Sequence, residues 1–167
     1  MIYSNIRSTI KTGDLIAFSG GNFSTVYELK VSLVRAFTRS EFSHIGVAWV
    51  TEGRVFLLDA VIPKIRIFPL SLDLPGYLIR MPNQLSKDAT EYALSLIGQP
   101  YSNLEAIKAF LNNVKNGENG VWECAEYVAN VWGKDIPEFN NIQATPTTVV
   151  QYCLQKLDCK LEYIDRG

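Results

Sequence analysis

Ser43-His44-Ile45-Gly46-Val47-Ala48-Trp49-Val50-Thr51-Glu52-Gly53-Arg54-Val55-Phe56-Leu57-Leu58-Asp59-Ala60-Val61-Ile62 is the stretch that decides the fold. Two runs rich in branched and aromatic residues, 43–50 and 54–62, flank Glu52-Gly53, a pair suited to a two-residue hairpin turn. Such a turn pairs Thr51 with Arg54. Counting back from it sets Gly46 opposite Asp59 and His44 opposite Val61, so His44 and Asp59 become diagonal neighbours on one face. A three-residue loop would reverse the faces. On the two-residue count, Gly46 and Ala48 leave room on the His44 face, while Ile45 and Val47 point to the other side. Asp59 lies among apolar residues, where a carboxylate is costly to bury without a partner. His44, the single histidine of the chain, is the obvious one.

Working outward, Gly13-Asp14 reads as a turn feeding a strand over 15–18, ended by Gly20-Gly21-Asn22. Residues 27–37 carry apolar side chains at Leu29, Leu33, Val34 and Phe37, the spacing of a helix face. Residues 64–68 alternate charged and apolar as a third strand of the hairpin region, and 76–81 form another before Pro82. The second half changes character. Ser86 caps a helix over 88–97 that stops at Gly98-Gln99-Pro100. A second helix covers 104–114, followed by the loop 116–120. In a third, over 124–132, Cys124, Ala125, Val128, Ala129 and Trp132 share a face. Thr145-Pro146 opens a fourth, which runs to about Leu157. Residues 159–164 return as an edge strand. Strands first and helices later predict an α+β fold, with 1–167 as a single domain.

The 167 residues are enough to bury a real core, and 47% hydrophobic with 20% charged content is that of an ordinary globular chain. A net charge of −1, without blocks of either sign, argues against nucleic acid as a partner. The longest apolar run, 45–50, is too short for a transmembrane segment. The first dozen residues are polar and mixed rather than signal-like, so the expected location as synthesised is cytoplasmic, with phage delivery or another export route the alternative. Three cysteines, Cys124, Cys153 and Cys159, form no disulfide framework and are read as reduced thiols. One histidine excludes a histidine-rich metal site, and no cysteine pair has zinc-knuckle spacing. No phosphate-cradling loop or dinucleotide fingerprint is present. No cofactor is expected.

Cys124 follows a glycine-containing loop and opens a helix, where the positive end of the dipole favours the thiolate. Alone, that feature is better explained by a small buried residue on an apolar face, which is the reading given to Cys153 and Cys159. Three components together are more specific. A carboxylate at Asp59 holds the His44 ring in one tautomer and stabilises its charged form, and the ring in turn activates a thiol.

Gly13-Asp14-Leu15-Ile16, then Ser43-His44-Ile45-Gly46-Val47, then Leu57-Leu58-Asp59-Ala60, and finally Glu123-Cys124-Ala125-Glu126-Tyr127-Val128 resemble the circularly permuted NlpC/P60 superfamily. The resemblance lies with its YiiX/YebB-like and YaeF-like branch and covers about 12–132. It implies a papain-like fold in which an antiparallel sheet packs against helices, with the histidine strand before the cysteine helix. It also implies Cys124 as nucleophile, His44 as general base and Asp59 as orienting acid, where the branch commonly has glutamate. Ala125 stands where serine often follows the cysteine. Gly98-Gln99-Pro100-Tyr101 resembles the segment whose tyrosine helps to bind the oxyanion, which makes Tyr101 a substrate-side residue. The expected activity is a cysteine peptidase or amidase acting on peptide or amide substrates, peptidoglycan among them. The alternatives are a lipid-directed thiol acyltransferase or lipase of the lecithin retinol acyltransferase-like type, and a non-catalytic binding module on the same fold.

Overall fold

The computed structural model of the protein describes residues 1–19, 42–99 and 122–167. Six strands form one sheet: β1 (Leu15–Phe18), β2 (His44–Thr51), β3 (Arg54–Val61), β4 (Lys64–Pro69), β5 (Gly76–Arg80) and β6 (Lys160–Ile164). Their order is β4-β3-β2-β1-β5-β6, and every neighbouring pair is antiparallel. The helices are α1 (Tyr3–Ile6), α2 (Leu70–Asp73), α3 (Lys87–Ser95), α4 (Trp122–Trp132) and α5 (Pro146–Lys156), with 3-10 turns at Arg7–Thr9 and Pro137–Asn141. The α+β class and the order of the six strands and of α3, α4 and α5 agree with the sequence reading, which did not include α1, α2 or the 3-10 turns. Helix 27–37, helix 104–114, the Gly20-Gly21-Asn22 terminator and the loop 116–120 lie outside the described residues.

The hairpin turn fixes the sheet register. Glu52 and Gly53 both have positive φ, 48° and 70°, the backbone that a two-residue turn between right-twisted strands requires. Thr51 pairs with Arg54, and the ladder continues without slip to Val47 opposite Leu58. Val61 then pairs with Lys64 across Ile62-Pro63, which sets Asp59 directly opposite Arg66.

The sheet is buried on both faces. On one, Leu15, Ala17, Ile45, Val47, Leu58 and Ile79 meet the apolar faces of α3, α4 and α5. On the other, Ile16, Phe18, Ala48, Leu57 and Leu78 meet Tyr3 and Ile6 of α1 and Leu70 of α2. Central β1 is therefore apolar throughout and all but inaccessible, as a strand covered on both sides must be.

Local caps set the helix starts. The Ser86 hydroxyl accepts from the Ala89 amide to open α3, and Thr145 and Thr148 form a reciprocal capping box before Pro146 at the start of α5. Gly13-Asp14 anchors the sheet to α4. Trp132 donates its indole N–H to the Gly13 carbonyl at 3.0 Å, and buried Asp14 accepts from the Lys11 and Met81 amides at 2.9 and 3.0 Å. Gly13 has φ +105°, and a Cβ there would fall 2.8 Å from the Trp132 ring. Only glycine suits that position.

Candidate active site

His44 is the first residue of β2 and Asp59 lies near the end of β3, so the hairpin register brings both to one end of the sheet. His44 Nε2 lies 2.7 Å from Asp59 Oδ2. A carboxylate accepts only, so Nε2 carries the hydrogen and donates it. Gly46 between them allows the two strands to close. A Cβ at Gly46 would stand 2.9 Å from the Leu58 carbonyl and 3.0 Å from Asp59 Cβ.

Cys124 comes from the other layer. It lies in the first turn of α4, which packs on β2 and β3. The helix begins two residues before the sequence-expected start, which leaves Cys124 within that first turn. Its sulfur is coupled to the His44 side chain and is the largest influence that raises the imidazole pKa. With Nε2 turned to Asp59, Nδ1 is the ring nitrogen left for the sulfur. All three side chains are withdrawn from solvent: Cys124 and His44 are each 5% exposed and Asp59 is 0% exposed.

Two more residues complete the cluster. Arg66 reaches across from β4, donating from Nε to Asp59 Oδ1 at 2.9 Å and from Nη2 to Oδ2 at 3.2 Å. Its Nη2 also lies 3.4 Å from Asp73 Oδ2 on α2, and its guanidinium stands 4.3 Å over the Phe68 ring. The sequence reading placed Arg66 on a strand but missed this role. The alternation of 64–68 was visible, yet Ile62-Pro63 is not one of the recognised two-residue turn pairs, so the register across it was not countable.

Charge sets the state of the site. Burial works against a charged His44, but negative charge on the Cys124 sulfur, with the hydrogen bonds and charge of Asp59, outweighs it and pushes the imidazole up to about 10. Burial likewise opposes an ionised Asp59, and the His44 and Arg66 hydrogen bonds and charges overcome it, holding the carboxyl below its usual range. Burial pushes Asp73 up, against the pull of Arg66. Tyr127, one turn along α4, is buried, donates to the Ala93 carbonyl at 3.2 Å and is pushed up by burial and by the nearby Asp59 charge.

The other cysteines belong to the core, as expected. Cys153 on α5 and Cys159 before β6 lie 3.8 and 3.9 Å from Met81 Sδ. Their mutual hydrogen bond and burial push Cys153 up, while the same bond draws Cys159 down. Tyr101 falls outside the described residues.

No family model and no curated protein matches this sequence. Solved structures do match. One is the metalloprotein yiiX (DUF1105) of Escherichia coli O157:H7, at a TM-score of 0.52 and 19% identity, over 76% of this chain and 67% of that one. The two share a fold. The six-stranded antiparallel sheet packed against helices is thus a YiiX-like arrangement.

The residues around Asp59 do not suit a metal ion. Among the described residues no group of three or more His, Cys, Asp or Glu side chains is arranged to hold a metal ion. Both Asp59 oxygens already accept hydrogen bonds, and the Arg66 guanidinium beside them repels a cation. Among the described residues, no helix is long and apolar enough to cross a membrane.

Proposed function

We propose that the protein is a cysteine hydrolase that cleaves amide bonds through Cys124, His44 and Asp59. The observation that supports this most is the position of the His44 ring, 2.7 Å from a buried carboxylate and with the Cys124 sulfur as the neighbour that does most to raise the ring's pKa. The only imidazole in the chain is thereby committed to a thiol and an acid at once.

In this reading the Cys124 sulfur, its proton moved to His44, attacks the carbonyl carbon of the substrate. A C–S bond forms and the carbonyl oxygen takes the negative charge. That charge develops beside the first turn of α4, where the helix dipole favours it. The intermediate collapses with loss of the C–N bond, and His44 gives its proton to the departing amine. Water then gives a proton back to His44 and attacks the thioester, the C–S bond breaks, and the acid product leaves. Asp59 stays ionised throughout, holding Nε2–H and so directing Nδ1 at the sulfur. The substrate class that the family resemblance implies is a peptide or amide of the bacterial cell wall.

The test is a panel of cell-wall peptides, simple amides and lipid esters, assayed with wild type, Cys124→Ala and His44→Ala. Hydrolysis of a peptide or amide by wild type, lost in both variants with ligand affinity kept, is the expected result. Turnover of esters alone would move the reading to a lipid-directed acyltransferase. Binding without turnover, unchanged in Cys124→Ala, would make the protein a binding module.

A further inference from the structure

We infer that Arg66 is a positioning residue for this site, acting through Asp59: its guanidinium clamps the carboxylate so that one oxygen faces His44. The inference rests on the hydrolase reading for its catalytic meaning, but the geometry beneath it is independent. Asp59 has a short side chain whose carboxylate, held by His44 alone, is able to turn about its last bond and offer either oxygen. Arg66 removes that freedom. Its Nε takes Oδ1 at 2.9 Å and its Nη2 takes Oδ2 at 3.2 Å, which fixes the carboxylate plane and leaves Oδ2 at 2.7 Å from Nε2. A planar fork fits a carboxylate in this way; a lysine ammonium does not.

Arg66 is itself held. β3–β4 pairing places it opposite Asp59, Phe68 supports its cationic face, and Asp73 on α2 takes the far side of Nη2. Among the described residues, the charged and titratable groups around Asp59 are His44 from β2, Arg66 from β4, Asp73 from α2, and Cys124 and Tyr127 from α4. Arg66 is the one permanent cation among them. Without it, Asp59 becomes easier to protonate, and below neutral pH His44 loses the acceptor that keeps its ring charged and aimed.

Two readouts test this on the full chain. One is site-resolved alkylation of Cys124 by iodoacetamide from pH 5 to 9, followed by peptide mass spectrometry. The other is the proton resonance of His44 Nε2–H, which a chain with one histidine gives as a single assignable signal. Arg66→Gln is expected to slow Cys124 alkylation at pH 6 by about tenfold, the size of a coupling between groups that share hydrogen bonds. It should also shift the acid limb of the profile to higher pH and broaden the Nε2–H signal. Arg66→Lys should fall between Gln and wild type. In an Asp59→Asn background, Arg66→Gln should add nothing.

A folded Arg66→Gln or Arg66→Lys protein with the wild-type profile and signal overturns the inference. So does an Arg66→Gln effect that survives in Asp59→Asn. Should Arg66→Gln fail to fold, the Lys variant decides the matter, and loss of fold in both makes Arg66 a structural residue and overturns it as well. The hydrolase reading fails separately, if wild-type Cys124 at pH 6 alkylates no faster than a thiol in an unfolded chain. In that event the Nε2–H signal still reports whether Arg66 holds Asp59.

Discussion

His44 is the residue on which both layers of the molecule converge, and its titration is measurable without a known substrate. The neighbours that raise it are the Cys124 sulfur and the Asp59 carboxylate, so the ring should stay charged until the pH reaches about 10. An ordinary histidine loses its proton near 6.5. An NMR titration of the single imidazole is therefore expected to show a midpoint near 10 in wild type and a lower one in both Cys124→Ala and Asp59→Asn. A wild-type midpoint near 6.5 would remove the charged ring from the mechanism. At this scale the sequence revealed the pair but not the triangle. His44 and Asp59 are linked by counting along one hairpin, whereas the thiol contact depends on how a helix some 60 positions downstream lands on the sheet. No local pattern encodes that.

At the scale of elements, the β2–β3 hairpin is where sequence and site are most tightly joined. The absence of a side chain at Gly46 lets the strands approach next to the His44–Asp59 bond. Gly46→Ala would drive a methyl to 2.8 Å from Leu57 Cδ1, 2.9 Å from the Leu58 carbonyl and 3.0 Å from Asp59 Cβ. Backbone on the partner strand gives way poorly, so we expect a loss of roughly 1–3 kcal/mol in urea unfolding, as for other overpacked sites. Any hydrolysis should fall further than stability alone accounts for, because the displaced strand carries Asp59. The elements visible in the sequence were those with a full period or a recognisable cap: β1 to β6, α3, α4 and α5. The four-residue helices α1 and α2 complete barely one turn, too little for an apolar stripe to repeat. α2 nonetheless carries Asp73, which is why the far support of Arg66 could not be anticipated.

For the molecule as a whole, one sheet serves two cores. Leu70, fully buried on the face opposite α4, packs with Leu57, Leu74 and Leu78 and begins the turn that presents Asp73. Leu70→Ala should cost about 2–5 kcal/mol. Because both cores rest on the same six strands, unfolding should remain a single transition, seen alike by tryptophan fluorescence and far-ultraviolet circular dichroism. Separate transitions by the two probes would show that the faces melt independently.

The pairing of Ile2 with Asp165 adds a topological consequence. The Asp165 amide donates to the Met1 carbonyl at 2.8 Å, and the Tyr3 amide to the Asp165 carbonyl at the same distance. Positions 1 and 165 are thus adjacent, and a short glycine bridge can join them into a closed loop of chain. Asn83 and Gln84, both exposed between β5 and α3, offer a place to cut that loop open again. Read from the new start, the chain would meet Cys124 first, then His44, then Asp59: nucleophile, base, acid. The same sheet and the same hydrogen bonds would then be written in a rotated order, with the thiol leading instead of following.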